Sequence, residues 1–175
     1  MNLCENFADF CETNNIFIMN LQNTVEIIPF SPDLKEPIKT LNKEWLLKYF
    51  KVEEKDELTL SNPQEEIIDK GGIIFYARYN DEILGTASLM KVNDTTFELS
   101  KMAVSDKAQG LGIGNKLLSH CITVAEKKNI KRLILYSNRI LLPAIHLYEK
   151  FGFIEIPLEG GLYERADIKM EKIIP

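Results

Sequence analysis

Apolar positions change their period several times along this chain, and each change marks an element. VEIIPF reads as a short strand. In SPDLKEPIKTLNKEWLLKYF, Ile38, Leu41, Trp45 and Tyr49 recur at helical spacing, with Ser31 as N-cap, Pro32 at the first helical position and Pro37 as a point where the helix splits or bends. SNPQEEIIDKGG predicts a second, short helix that Asn62 caps, Pro63 opens and Gly71 ends. The period then drops to two. IIFYARY and EILGTASLMKV are joined by Asn80-Asp81, and TTFELSKMAV comes after a turn at Asn93-Asp94, which together predict an antiparallel meander.

Helical spacing returns at Ile113, Leu117, Cys121, Ile122 and Ala125, predicting a helix that runs to about Lys128. Strand RLILYS, helix LPAIHLYEKF and strands FIEIPL and YERADIKMEKI complete the chain; the last puts Ala166, Ile168 and Met170 on one face and Arg165, Asp167 and Lys169 on the other. A meander followed by strand, helix, strand, helix and hairpin implies a mixed sheet with helices on both faces and one parallel crossover. In FELSKMAV the apolar phase slips, from Phe97 and Leu99 to Met102 and Val104. A β-bulge near Ser100 to Met102 reconciles the two pairs; a strand buried on both faces needs none.

Residues 1–23 stand apart as an N-terminal extension, with Leu3, Phe7, Phe10 and Cys11 at helical spacing and Met19 as a second candidate start; residues 24–175 form the expected single domain. A net charge of −5 argues against a protein that grips nucleic-acid backbones. Three scattered cysteines, Cys4, Cys11 and Cys121, form no disulfide framework, and with two isolated histidines they offer no zinc site. No apolar run approaches the roughly 20 residues of a membrane span, and the first basic residue is Lys35, so no export signal is read. A cytoplasmic protein without membrane or nucleic-acid partners is the expectation.

The chemistry concentrates in DKAQGLGIGNKL. A helix opening with Gly110, Gly112 and Gly114 offers unpaired amides at its positive end with no side chains in the way, an arrangement that suits a phosphate; a tight strand-to-helix turn is the plainer use of the same glycines. The dinucleotide fingerprint fits poorly because Asn115 takes the third glycine position, and a Walker loop fits poorly because Leu117 comes after Lys116.

The pattern Q/R-x-x-G-x-G/A is present, with Gln109, Gly112 and Gly114, and here the sequence resembles the GNAT superfamily of acyl-CoA-dependent N-acyltransferases. The resemblance covers about Thr24 to Ile174 and extends to a bacterial group sharing LNKEWL, ELSKMAV, PAIHLYEKFGF and Y-x-R-x-D-I-x-M. It implies an α/β (α+β mixed) GNAT-like fold, a central, mostly antiparallel mixed sheet of about seven strands. It further implies that the backbone of Gln109, Gly110, Leu111, Gly112, Ile113, Gly114 and Asn115 cradles the pyrophosphate of acetyl-CoA, the co-substrate. Met102, Ala103 and Val104 then border the pantetheine arm, and the amide of Met102 or Ala103 polarises the thioester carbonyl. Asn138 holds pantetheine amides, and Tyr148 touches the cofactor and protonates the departing thiolate. As bare residues, Asn138 is a turn former and Tyr148 a core residue whose hydroxyl reaches a surface partner.

The attacking amine must be neutral, and a lysine-like ammonium at pH 7 resists deprotonation by about 4 to 5 kcal/mol. Glu98, on the bulged strand, is the candidate base, directly or through a water; as an exposed strand carboxylate it has no such role. In this group of relatives the region between the first two helices and the last hairpin faces the acceptor, which implicates Glu44, Trp45, Arg165 and Asp167. The expected function is transfer of acetyl from acetyl-CoA to the primary amine of a small molecule or amino acid, by direct attack in a ternary complex. A protein N-terminal acetyltransferase and a non-catalytic acyl-CoA-binding sensory module are the alternatives: an open groove favours the former, a closed pocket near Trp45 a small amine. Many relatives form dimers through sheet edges or helices, so a homodimer is compatible with the resemblance.

Overall fold

The computed structural model describes residues 24–108, 110–160 and 163–175. The N-terminal extension, with its expected helix and alternative start, and Gln109 lie outside the described residues.

Seven strands form one sheet in the order β1-β2-β3-β4-β5-β7-β6. They are β1 (Glu26–Pro29), β2 (Ile73–Tyr79), β3 (Glu82–Lys91), β4 (Thr96–Val104), β5 (Arg132–Ser137), β6 (Ile154–Ile156) and β7 (Ile168–Ile173). Every neighbouring pair is antiparallel except β4 and β5, which are parallel. The crossover between those two is α3 (Ile113–Lys127), the glycine-led helix. The meander is as the sequence predicts: Asn80 and Asp81 both take positive φ, 48° and 63°, as a tight two-residue hairpin turn requires.

Alternation along the strands sorts side chains to two layers. Phe75 and Ala77 of β2 face a core shared with Leu117, Cys121 and Ala125 of α3 and Ile145 of α4 (Leu142–Lys150). Ile74 and Tyr76 face the other side, where they meet Ile38 and Leu46 of α1 (Lys35–Tyr49) and Leu60 of α2 (Glu54–Ser61). Gly85 is what lets α3 lie close on β3: a Cβ there would come within 2.6 Å of Ile113 Cγ2.

Four sequence expectations need correction. Helix α1 starts at Lys35 after a 3-10 turn at Pro32–Leu34, and its buried stripe is Ile38, Leu41, Asn42 and Leu46, leaving Tyr49 exposed. Pro37 does not split α1, because in the first turn its missing N–H has no intrahelical acceptor to lose. Helix α2 has no counterpart among the sequence expectations; its opening acids Glu54, Asp56 and Glu57 suit a helix N-terminus, yet Asp56 is buried. The predicted second helix is instead a π-helical turn at Gln64–Ile68, and Asn62 directs its side-chain amide back to the Leu58 carbonyl rather than capping that turn. Finally, β7 begins at Ile168, and Tyr163 to Asp167 form an irregular strap ahead of it.

Candidate active site

β4 and β5 are paired from Thr96↔Arg132 through Glu98↔Ile134, and there the ladder stops although β4 runs on to Val104 and β5 to Ser137. The cause lies within β4. Ser100 faces Ser88 and Ala103 faces Thr86, so Lys101 and Met102 oppose the single residue Ala87, and Lys101 takes φ +49°. This is the bulge that the slipped apolar phase requires. It returns Met102 to the core that holds Phe97 and Leu99, while Val104 stays exposed. Beyond the bulge the strands part around a cleft of about 290 Å³, bordered by Met102, Ala103 and Val104 on one side and Ser137 and Asn138 on the other.

The bulge is held at both ends of its own residue. The Asn42 side-chain amide donates to the Lys101 carbonyl at 3.2 Å, and Trp45 Nε1 donates to Asn42 Oδ1 at 3.4 Å. The Lys101 ammonium, 4% exposed, pairs with Asp56 at 2.8 Å. A buried ion pair of this kind is costly to break on one side, which fixes the bulge where it is.

At the neighbouring helix end, Gly112 is the N-cap of α3 with φ +65°, and the first intrahelical bond runs from Lys116 N to Gly112 O. The amides of Ile113, Gly114 and Asn115 therefore precede the ladder. No described residue lies within 4 Å of where a Cβ on Gly110 or Gly112 would project, so an anion can approach the backbone directly. The Leu111 amide is already used, bonded to the Ala108 carbonyl at 3.2 Å. Lys150 of α4 reaches Asn115 Oδ1 at 2.7 Å and brings a cation to the same helix end. The turn adjoins the cleft through Gly114, whose added Cβ would sit 3.8 Å from Met102 Cε.

Tyr148 lines the cleft, its ring against Phe153, and its hydroxyl makes no hydrogen bond with the described residues. Burial pushes its pKa up to about 12. Against a thiol of ordinary pKa near 8.5, proton donation from such a phenol is uphill by about 5 kcal/mol. A thiol leaving in the same cleft is also desolvated, and loss of water raises a thiol's pKa in the same direction. Desolvation of both partners thus brings the transfer back toward balance. Asn138 sits at the cleft wall, but its side chain already donates to the Arg165 carbonyl at 2.6 Å and accepts from the Ile140 amide at 3.0 Å, holding the strap to the end of β5.

Glu98 is buried, not an exposed strand carboxylate, and Oε1 accepts a hydrogen bond from the Tyr163 hydroxyl at 2.8 Å. No described residue bonds Oε2. The Tyr163 phenol is held protonated, its pKa raised first by burial and then by the neighbouring Glu98 charge. Arg165 forks onto Asp56, at 2.6 and 3.1 Å, and reaches Glu53 at 2.8 Å, while the Glu164 and Arg165 amides also donate to Glu53. The strap is thereby fastened to the start of α2, and Tyr163, Arg165 and Asp56 all line the cleft. Trp45 and Arg165 line the cleft as the sequence suggests. Glu44 and Asp167 do not: Glu44 is exposed on α1, and Asp167 accepts from the Arg139 amide outside the cleft.

Sequence reasoning missed Asn42, Asp56, Lys101 and Tyr163. The one legible signal was Lys101 itself, a charged residue at the point where the apolar phase of ELSKMAV slips. His120 packs edge-on against Phe75 and His146 is exposed, both away from the cleft. Among the described residues no group of three or more His, Cys, Asp or Glu side chains is placed to hold a metal ion, and no helix is long and apolar enough to cross a membrane.

The parted strands, the bulge and the bare helix end bear on family. The family profile described as "Acetyltransferase (GNAT) family" matches residues 38–153. The chain belongs to the GNAT acetyltransferase family. Solved structures share the fold of this GNAT chain. An acetyltransferase of the GNAT family from Staphylococcus aureus is 23% identical with a TM-score of 0.79, over 87% of this chain and 100% of that one. PaiA N-acetyltransferase from Thermoplasma acidophilum, solved in complex with coenzyme A, is 22% identical with a TM-score of 0.67, over 86% and 99%. The ribosomal-protein-S18-alanine N-acetyltransferase from Escherichia coli is 23% identical with a TM-score of 0.68, over 86% and 94%. No curated protein matches the sequence. As a GNAT acetyltransferase, the chain belongs to a family that uses acyl-CoA.

Proposed function

We propose that this GNAT acetyltransferase moves the acetyl group of acetyl-CoA to a primary amine of a small molecule, by direct attack with both substrates bound. The pyrophosphate would rest on the amides of Gly112 to Asn115, and the pantetheine arm would lie between Met102 to Val104 and the end of β5. The amine nitrogen bonds to the thioester carbonyl carbon and the carbon–sulfur bond breaks. The proton lost by the nitrogen goes to Glu98 Oε2, directly or through a water, and Tyr148 supplies a proton to the leaving sulfur. The amide beyond the bulge, of Met102 or Ala103, is offered to the carbonyl oxygen as charge builds there.

The observation that carries the small-molecule reading is the fastening of the strap by Arg165 to Glu53 and Asp56, which supports a closed acceptor end over a groove for a peptide. Coenzyme A release from acetyl-CoA, measured against a panel of small amines and of peptides with free N-termini, tests it. Turnover with small amines is expected. Turnover confined to peptides would transfer the reading to a protein N-terminal acetyltransferase, and acetyl-CoA binding without turnover on any amine would transfer it to a sensory module.

A further inference from the structure

Among the described residues, four charged side chains line the cleft: Asp56, Glu98, Lys101 and Arg165. Three of them are already committed to one another. Lys101 pairs with Asp56, and Arg165 bridges Asp56 and Glu53, so two cations meet two carboxylates with little room for water; the Asp56 side chain is 1% exposed. Glu98 is left over. Tyr163 satisfies only its Oε1, and a hydroxyl hydrogen bond does not neutralise a carboxylate. Lys55 and Lys169 lie against the rings of Tyr163 and Tyr136, but neither lines the cleft. The remaining walls of the acceptor end are largely rings, from Trp45, Tyr49, Phe50 and Tyr136.

We infer that the acceptor is a primary amine with an apolar, ring-sized body and no carboxylate, so that α-amino acids are excluded. The inference rests on the acetyl-transfer reading above and narrows its substrate class. An entering ammonium finds the unmatched Glu98 oxygen and the rings of Trp45 and Phe50, over which no described cation lies, whereas Lys48 and Lys169 already sit over Tyr49 and Tyr136. A carboxylate carried in with it finds no unpaired cation among the described lining residues. It would have to displace Asp56 or Glu53 from Arg165, stranding a buried charge, or lie unpaired beside Glu98.

The test compares 2-phenylethylamine with phenylalanine, which differ by that carboxylate alone. Coenzyme A release is measured for the full chain at saturating acetyl-CoA, and binding of each compound to the coenzyme A-loaded protein is measured by calorimetry. The amine is expected to exceed the amino acid by about 100-fold or more in kcat/KM. Glu53→Gln, which releases part of the Arg165 charge, is expected to narrow that ratio by improving phenylalanine. Equal or better use of phenylalanine by the wild type would overturn the inference and leave acetyl transfer standing. Coenzyme A binding with no turnover of these two or of any amine in the panel above would instead sink the acetyl-transfer reading. The binding arm then decides the charge preference, amine binding alone supporting it, and equal binding or none overturning it.

Discussion

The Asn42 side-chain amide lies 3.2 Å from the main-chain carbonyl of Lys101, joining the middle of α1 to the one bulged residue of the central strand. The same amide group also reaches the Ile38 carbonyl at 2.8 Å, so both of its hydrogens are used. A buried polar residue on the apolar stripe of α1 is thus there to satisfy a carbonyl that the bulge removes from the sheet ladder.

Asn42→Leu fills the same space without a donor. The stranded carbonyl should cost about 1 to 3 kcal/mol, seen as a lower melting temperature. Turnover should fall further than the melting shift alone explains, because the amide beyond the bulge loses its aim. Unchanged melting and turnover would mean that the bulge holds itself.

Asp56 is the second restraint on Lys101. Burial alone would push its carboxyl up, but Lys101 and Arg165 more than offset this and leave it below the ordinary Asp value. A depressed folded pKa means stability that is complete above the unfolded value, near 3.9, and lost as pH falls through the folded one. Removing one side of a buried ion pair costs about 3 to 5 kcal/mol, so Asp56→Asn should melt well below the wild type at pH 7, and the gap should begin to narrow as pH falls below about 4. A gap that is constant from pH 7 to pH 3 would refute the ion pair as its source.

Much of this architecture is legible in the amino-acid sequence, because it is written in local patterns. The bulge can be read from Phe97 and Leu99 giving way to Met102, and the crossover helix from Ile113, Leu117 and Cys121. The charged layer under the cleft is not legible in that way. Asp56 sits in EKDELTLS, a polar stretch that looks solvated until Lys101 and Arg165 arrive from 45 and 109 residues further along the chain. Strand alternation places Tyr163 and Arg165 on a regular strand, but the Tyr163 hydrogen bond to Glu98 and the Arg165 ion pairs to Glu53 and Asp56 hold them in the strap, and alternation says nothing about partners on another element. Glu44 and Asp167 show the converse, two charges near the site in sequence that turn away from it in space.

Tyr148→Phe removes the hydroxyl and little else. If Tyr148 protonates the leaving sulfur, kcat should drop by about 10²- to 10⁴-fold with coenzyme A affinity held. Since its pKa is pushed up to about 12, the wild type should show no alkaline loss of kcat from this group until about pH 11. Full activity in the variant would remove the role.

Gly112→Ala adds a methyl where no atom of the described residues waits, at φ +65°. The fold should lose about 1 to 2 kcal/mol for the left-handed backbone. Coenzyme A binding, followed by calorimetry, should weaken beyond that, because the methyl stands where an anion approaches the helix. An unchanged dissociation constant would place the phosphates elsewhere.

The acetyl transfer proposed for this site depends most on a diphosphate being gathered by the exposed main-chain amides at the start of α3. Calorimetric titration of the folded protein with acetyl-CoA and with S-acetylpantetheine, which keeps the thioester arm and lacks the nucleotide and its phosphates, measures this directly. Acetyl-CoA should bind at least about 100-fold more tightly. Equal affinities, or no association with acetyl-CoA, would contradict it.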